Sequence, residues 1–554
     1  LKLVFPLKSP VAAEEAERIH RGARPGASST SQPMLAALLL SVVAPLAWAD
    51  SSCNAADGTC APGVTGTDKY YWPMAMGHPS YYSLPPWPGP TDLQKDFAWS
   101  WFGLGKRYED SFTGAVIDDK KNIYVNGHFH TYKLSPDGHL LWTYRQPGGS
   151  SGDAPVIYDG HVHGMTTDGV VFSVDMKTGS QKWMTKASDH GGSEYSQMAA
   201  HKGVLITQGD KECQQTPFPA CSNINVRGLN TTDGAILWKY AADDVLWDWF
   251  PQFPDDESVI FMDKTGTLYK LKLQTGELIW KVGGTPLSWT DGSQFMAAND
   301  VTYTVEVEKD MWKCPPPLDK DSVFNCPGYV TAYKTSDGTK LWRTTVPKPP
   351  NTSPVVGRLG KDDKLTLLMP IGQQSSRGCE IPAVGLFFTP QARFGWLPES
   401  LKHIFFHYVH RFSLWLGDGN WRLWGGVKRT HDMVALDAET GEHLWSWSGP
   451  TMNRPCNPGD EDGFVSRVTL GLRAVCCPTP WGQPRIGSDG TIFLANEGGL
   501  VFALKDKNGN GKIDNDKTEE SVYDTGATFP HAGTAHAPGM VVAVNFDGVF
   551  VWKS

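Results

Sequence analysis

No run of basic residues occurs anywhere in this 554-residue chain, whose formal charge is −9 from 50 lysines and arginines against 59 acidic residues. Clustered Lys and Arg are what bind a polyanion, so nucleic acid and anionic membrane surfaces are not expected partners. Long apolar runs are also missing. A membrane-spanning helix needs about 20 apolar residues in succession, and the chain beyond residue 49 offers none, so no transmembrane segment is expected in a mature protein. Long segments of 3.6-residue periodicity are absent from the body of the chain, while 58 glycines and 40 prolines interrupt it, which excludes a helical fold. No Gly-rich phosphate loop, Ser-His-Asp order or paired-carboxylate motif can be read. A catalytic set, if there is one, has to assemble from distant loops.

What the chain does have is a repeat. Six stretches end alike, in Asp or Thr, then Gly, then a tryptophan a few residues on: Pro136 to Trp142, Thr178 to Trp183, Asp233 to Trp238, Thr275 to Trp280, Asp337 to Trp342 and Thr440 to Trp445. An apolar, β-branched run precedes each, as in Gly169-Val-Val-Phe-Ser-Val-Asp175, and the Gly supplies a turn. The closest tryptophans are spaced as in a four-stranded propeller blade of about 40–45 residues, and the wider gaps hold insertions. Such a unit cannot bury its own apolar face and must stack on its neighbours. A degenerate unit follows from Gly490 to Tyr523, and a partial one from Gly539 to Trp552. Phe97-Ala-Trp-Ser-Trp101 is placed to complete that last unit and close the ring. The expected fold is therefore all-β: a β-propeller of eight (alternatively seven) four-stranded blades, closed by N- and C-terminal strands.

These Asp/Thr-Gly-x-x-Trp endings resemble the repeats of the pyrroloquinoline quinone (PQQ) type β-propeller superfamily over roughly residues 96–554. That superfamily includes quinoprotein alcohol dehydrogenases and non-enzymatic propellers such as the outer-membrane protein-assembly scaffold. The resemblance implies either a binding or scaffold protein for a protein or glycan ligand, or a PQQ- and calcium-dependent alcohol or sugar dehydrogenase. In the dehydrogenases a vicinal disulfide can lie against the quinone. Here Cys476 and Cys477 are adjacent, which makes them candidate cofactor neighbours, although they fall late in the chain and that family carries the pair early.

Residues 1–49 read as a leader. Met34 to Ala49 is an apolar segment closing on Ala47-Trp-Ala49, the small-x-small pattern of a signal-peptidase site. Cleavage after Ala49 and a secreted product, periplasmic if bacterial, are expected. All ten cysteines lie beyond that point, several as near neighbours (Cys53 and Cys60, Cys213 and Cys221, Cys314 and Cys326), which suits local disulfides in an oxidising compartment. Asn230-Thr-Thr232 and Asn351-Thr-Ser353 are glycosylation sequons. Residues 50–95 form a Cys-, Pro- and aromatic-rich strap expected to run extended over a surface. Residues 375–428 are a non-repeat insertion. Within it His403, His407 and His410 share one face of a short helix without the acidic residue of a zinc motif.

The sharpest local motif is Asp506-Lys-Asn508-Gly-Asn510-Gly-Lys512-Ile-Asp514, which resembles an EF-hand calcium loop. Asp506, Asn508, Asn510 and Asp514 would donate side-chain oxygens and Lys512 its carbonyl, since calcium takes six to eight oxygens in flexible geometry. Position 12 is Lys517 and not the usual Glu, so Asp516, Glu519 or Glu520 has to substitute. Two His-x-His pairs, His128/His130 and His161/His163, are expected to be ordinary histidines and not a shared metal site.

Overall fold

A computed structural model describes residues 69–554, apart from 105–111, 149–153, 190–196, 210–212, 215–219, 222–223, 286–287, 309–322, 360–363, 376–429, 452–480, 530–531 and isolated single positions. The leader, Cys53, Cys60, Cys314, Cys476, Cys477, His128 and the three histidines at 403–410 therefore lie outside the described residues. Among those described, no helix is long and apolar enough to cross a membrane.

The fold is a β-propeller of eight blades, each an antiparallel sheet whose strands follow one another in sequence. Blade 1 runs from Ala115–Ile117 to Leu140–Arg145, blade 2 from Val156–Tyr158 to Gln181–Lys186, blade 3 from Ala199–His201 to Ile236–Ala241, blade 4 from Ser258–Met262 to Leu278–Gly283, blade 5 from Phe295–Ala297 to Lys340–Val346, blade 6 from Val355–Leu359 to His443–Ser448 and blade 7 from Arg485–Ile486 to Glu520–Asp524. In blade 4 the first strand is reduced to Gln252, bridged to Ile260. In the eighth blade Thr534–Ala537, Met540–Val544 and Val549–Lys553 are joined by Phe97–Trp101 as the fourth strand, with Phe97 opposite Trp552 and Trp101 opposite Val549. The two ends of the chain thus close the ring as expected, which removes the open edges that a seven-and-a-half-blade arc would expose. First strands of successive blades touch one another, including that of blade 8 with that of blade 1, so they form the inner wall. Second and third strands are covered on both faces, as in Ser258–Met262 and Val301–Glu308, where every residue is buried. Fourth strands alternate in exposure.

The repeated tryptophan has a specific task. Each lies on a fourth strand, and five of the six, all but Trp445, pack on the glycine of the next blade's turn and donate their indole N–H to a nearby carbonyl of that blade. Trp142 donates to Met176 O (3.0 Å), Trp183 to Thr231 O (2.9 Å), Trp238 to Leu273 O (2.8 Å), Trp280 to Ser336 O (3.3 Å) and Trp342 to Ala438 O (3.2 Å). Trp99, on the closing strand, does the same to Pro136 O at 2.9 Å, so the ring's seam is held like its other joints. The turn glycine is required twice over. Gly276 has φ +68°, and a Cβ there would stand 2.4 Å from the Trp238 ring, so any side chain would be both strained and in collision. Spacing from glycine to tryptophan repeats because both serve one joint geometry.

Candidate functional site

In a propeller the ring's centre and the two faces around it are where ligands meet converging loops. Tracing strand direction divides the connections between these faces. Turns joining first to second and third to fourth strands, including the Asp/Thr-Gly turns, lie on one face. Connections from blade to blade, and from second to third strands, lie on the other.

The turn face is closed at its centre by the strap. Residues 72–79 are buried, as are Tyr82 and Ser83, so this part does not run over a surface as the sequence suggested. It forms a series of turns inside the ring, because its aromatic and methionine side chains have an apolar wall to cover. Trp72 exchanges backbone hydrogen bonds with Ile117 of blade 1 (3.0 and 2.8 Å), and Ile157 N–H of blade 2 donates to Pro73 O (2.9 Å). On the far side Phe253 N–H of blade 4 donates to the Tyr82 hydroxyl (2.7 Å), and Ile486 N–H of blade 7 to Ser83 O (3.1 Å). Met74, Ala75, Met76 and Tyr82 join the main apolar cluster with the inner strands.

Arg485, on the first strand of blade 7, fixes this plug. It is fully buried. Its guanidinium donates to Ala75 O (2.9 Å) and Ser83 Oγ (3.0 Å) of the strap, to Ala532 O (2.6 Å) and Thr534 O (3.1 Å) of the eighth blade's approach, and to Pro484 O (3.1 Å). Trp72 lies beneath it at 5.3 Å, in cation–π contact. Burial pushes its pKa down to about 9, so it remains charged at neutral pH. His536 packs against Trp72 on the same wall, 5.3 Å between ring centroids. Neither Arg485 nor Trp72 stood out in the sequence as a functional residue. The available signal was weak: a charge in Pro484-Arg485-Ile486 at the start of a blade, where another first strand, Val355–Leu359, also carries an arginine.

The opposite face carries the insertions. Segments 309–322 and 376–429 each interrupt the passage from second to third strand, in blades 5 and 6, and 452–480 lies between blades 6 and 7. Val323–Phe324 of the blade 5 insertion pairs with Gln374–Ser375, which leads into the blade 6 insertion.

The calcium-like loop joins the third and fourth strands of blade 7, on the turn face. Asp506 accepts from the N–H groups of Gly509 (2.6 Å), Asn510 (3.1 Å) and Gly511 (2.8 Å). The side-chain amides of Asn508 and Asn510 both reach Asp514 Oδ2 at 2.7 Å, so positions 3, 5 and 9 of the loop converge on one point. Lys512 Nζ lies 3.0 Å from Asp514, and this contact, with the two amides, holds the Asp514 carboxyl below its usual range. Glu519 is buried beneath the loop and accepts from Lys507, Asn508 and Asp514 N–H groups (2.8, 3.2 and 2.8 Å). Of the three acidic substitutes for position 12, Glu519 is the one directed at the loop.

Cys213 stands opposite Cys221 in a short antiparallel pair. Asn351, Thr352 and Ser353 are buried, so the second sequon is unavailable to a glycosyltransferase in the folded chain. His161 and His163 are neighbours on one strand with ring centroids 6.3 Å apart. His163 is fully buried against Trp183, and neither ring nitrogen has a hydrogen-bond partner. Burial, helped by His161, pushes its pKa down to about 3. Between that value and the unfolded histidine's value of about 6.5, the unfolded chain binds the extra proton, so acidification costs stability, at most about 1.4 kcal/mol per pH unit. Melting curves between pH 7 and pH 4.5 are expected to show a shallower acid decline for His163→Phe than for the native protein. Equal declines would mean that His163 does not contribute.

Comparison with known proteins gives one family match and several structural likenesses. Residues 106–217 match the protein-family model described as PQQ_2, outer membrane protein assembly factor BamB. No curated protein sequence matches the chain. Solved structures with a similar fold include BamB from Moraxella catarrhalis (13% identity, covering 82% of this chain and 98% of that one, TM-score 0.46). They also include a europium-containing methanol dehydrogenase (11%, 87% and 91%, 0.49) and quinohemoprotein alcohol dehydrogenase ADHIIG from Pseudomonas putida HK5 (11%, 88% and 80%, 0.49).

Proposed function

We propose that this chain, a propeller of the PQQ-repeat superfamily, is a secreted binding or scaffold protein that engages a protein or glycan partner through its insertion-bearing face. The observation that carries this reading is the asymmetry of the ring. One end is sealed by a buried strap, while the long insertions leave from the other, where the strand of the blade 5 insertion, Val323–Phe324, pairs with the strand leading into the blade 6 insertion, Gln374–Ser375. Loops on a rigid scaffold are the usual means of recognition. The cross-strand placement of Cys213 and Cys221 supports a disulfide there and, with the Ala47-Trp-Ala49 site, an oxidising destination.

The dehydrogenase reading requires a quinone bearing three carboxylates at the ring's centre. Among the described residues Arg485, the fully buried cation there, directs its N–H groups to four carbonyls and Ser83, which supports the scaffold reading over it. The test is a titration of the full chain with PQQ and calcium, followed by absorbance, with a dye-linked assay on simple alcohols. No stoichiometric quinone binding and no alcohol-dependent dye reduction are expected. Stoichiometric binding with turnover would make the protein a quinoprotein dehydrogenase and overturn the scaffold reading.

A further inference from the structure

Asparagine is followed by glycine three times in the chain, at Asn126-Gly127, Asn508-Gly509 and Asn510-Gly511. Such a pair is chemically labile. The glycine nitrogen can attack the asparagine Cγ, because no Cβ shields that nitrogen and the backbone turns freely there. The N–Cγ bond forms, the Cγ–Nδ2 bond breaks, and ammonia leaves with the proton from the glycine N–H. Water then opens the cyclic imide at either carbonyl, which leaves aspartate or isoaspartate. Whether a given pair reacts depends on what holds its carboxamide and on access to water.

The three pairs stand in different surroundings. Asn126 is 1% exposed, its Oδ1 accepts from Thr131 Oγ1 (2.8 Å), and Gly127 N–H donates to His130 O (2.7 Å). That carboxamide is held across neighbouring strands and closed to solvent. Asn508 and Asn510 are exposed at the tip of the blade 7 hairpin. Each folds its Oδ1 back over the following glycine, to the N–H of Asn510 (2.9 Å) and of Lys512 (3.1 Å) respectively. Gly509 and Gly511 have φ of +69° and +88°, and open space lies where a Cβ of Gly511 would stand. Asp506 accepts from both glycine N–H groups, and each must be released before its nitrogen attacks. Backbone bonds at a solvated hairpin tip open far more readily than those of a blade interior.

We propose that Asn508 and Asn510 are sites of spontaneous deamidation, and that the reaction opens the hairpin. Both side-chain amides donate to Asp514 Oδ2 at 2.7 Å. Deamidation exchanges a neutral donor for a carboxylate, so a charge-assisted bond that closes the tip becomes a contact between like charges. Among the described residues Lys512, 3.0 Å from Asp514, is the one cation within ion-pair distance of that carboxylate. The opening reaches Asn515 and Glu520, which accept from Ser448 N–H (2.8 Å) and Trp447 Nε1 (2.9 Å) of blade 6. Ageing of the chain thus loosens the contacts between blades 6 and 7 without any enzyme. Neither the scaffold reading nor calcium binding is needed for this step.

Incubation of the full chain at mildly alkaline pH with a chelator present, followed by peptide mapping in a mass spectrometer, tests the assignment. Conversion at Asn508 and Asn510 is expected to be at least about tenfold faster than at Asn126, with isoaspartate among the products. The consequence is read by trypsin, again with chelator. Asn508→Asp combined with Asn510→Asp should be cut after Lys507, Lys512 or Lys517 at least about tenfold faster than the native protein. Asn508→Ser combined with Asn510→Ser removes the amides without adding charge and should show a smaller rise. Lack of conversion at both positions, conversion of Asn126 at the same rate, or equal cleavage of the Asp and Ser variants overturns the proposal.

Discussion

Replacing Arg485 with alanine should lower stability by more than about 4 kcal/mol, beyond the usual range for a single substitution. The substitution leaves four buried carbonyls, of Ala75, Pro484, Ala532 and Thr534, and the Ser83 hydroxyl without their donor. Each stranded group costs roughly 1–3 kcal/mol. Part of this is recovered as water enters, which is why the expected loss is less than the sum. Arg485→Lys should recover only part of it, because three donors on one nitrogen cannot reach five acceptors spread around a planar fork. Urea or thermal unfolding reads the effect. Limited proteolysis should locate it, with new cleavage between residues 72 and 84 before the blades are cut. A variant that melts like the native protein with the strap still protected would show that the plug is held by its apolar contacts alone.

Calcium should raise the melting temperature, and chelation should lower it. At a free calcium concentration about a hundredfold above the dissociation constant the gain is about 2.7 kcal/mol. The proposed mechanism is local. Asn508, Asn510 and Asp514 already converge, and a cation among them would turn the amide oxygens inward. The ordered hairpin would then steady Asn515 and Glu520, which carry the contacts to Ser448 and Trp447 between blades 6 and 7. Asp506→Asn and Glu519→Gln should abolish the response by different routes, one by removing ligand charge and the other by releasing the N–H groups beneath the loop. Isothermal titration without heat at millimolar calcium would reject the site.

The unevenness of what could be read in advance has physical causes. Glycine and tryptophan in Asp233-Gly-Ala-Ile-Leu-Trp238 are constrained by a turn and a joint that recur around the ring, so the pattern repeats in sequence. The convergence of Asn508 and Asn510 on Asp514 was legible because the three are close in sequence, and a short loop brings them together whatever the rest of the chain does. Trp99 was recognisable only as part of a spare strand, yet it performs the same task as Trp142 at the seam.

The strap was misjudged because its composition is shared by two situations. Proline- and aromatic-rich segments cover outer surfaces and also fill apolar cavities, and only the shape of the wall they meet tells which. Arg485 was silent for a related reason, since its partners come from residues 75, 83, 532 and 534, and a guanidinium satisfied by carbonyls leaves no partner residue type to look for. By itself, then, the order of residues determined the blade and pointed to the closing strand, because those follow from local periodicity, while the choice of eight blades over seven came with the pairing of Phe97–Trp101 to Val549–Lys553. Which end of the ring is sealed, and by which residues, were decided by tertiary structure. Those properties depend on how distant inner strands and one strap share a common centre.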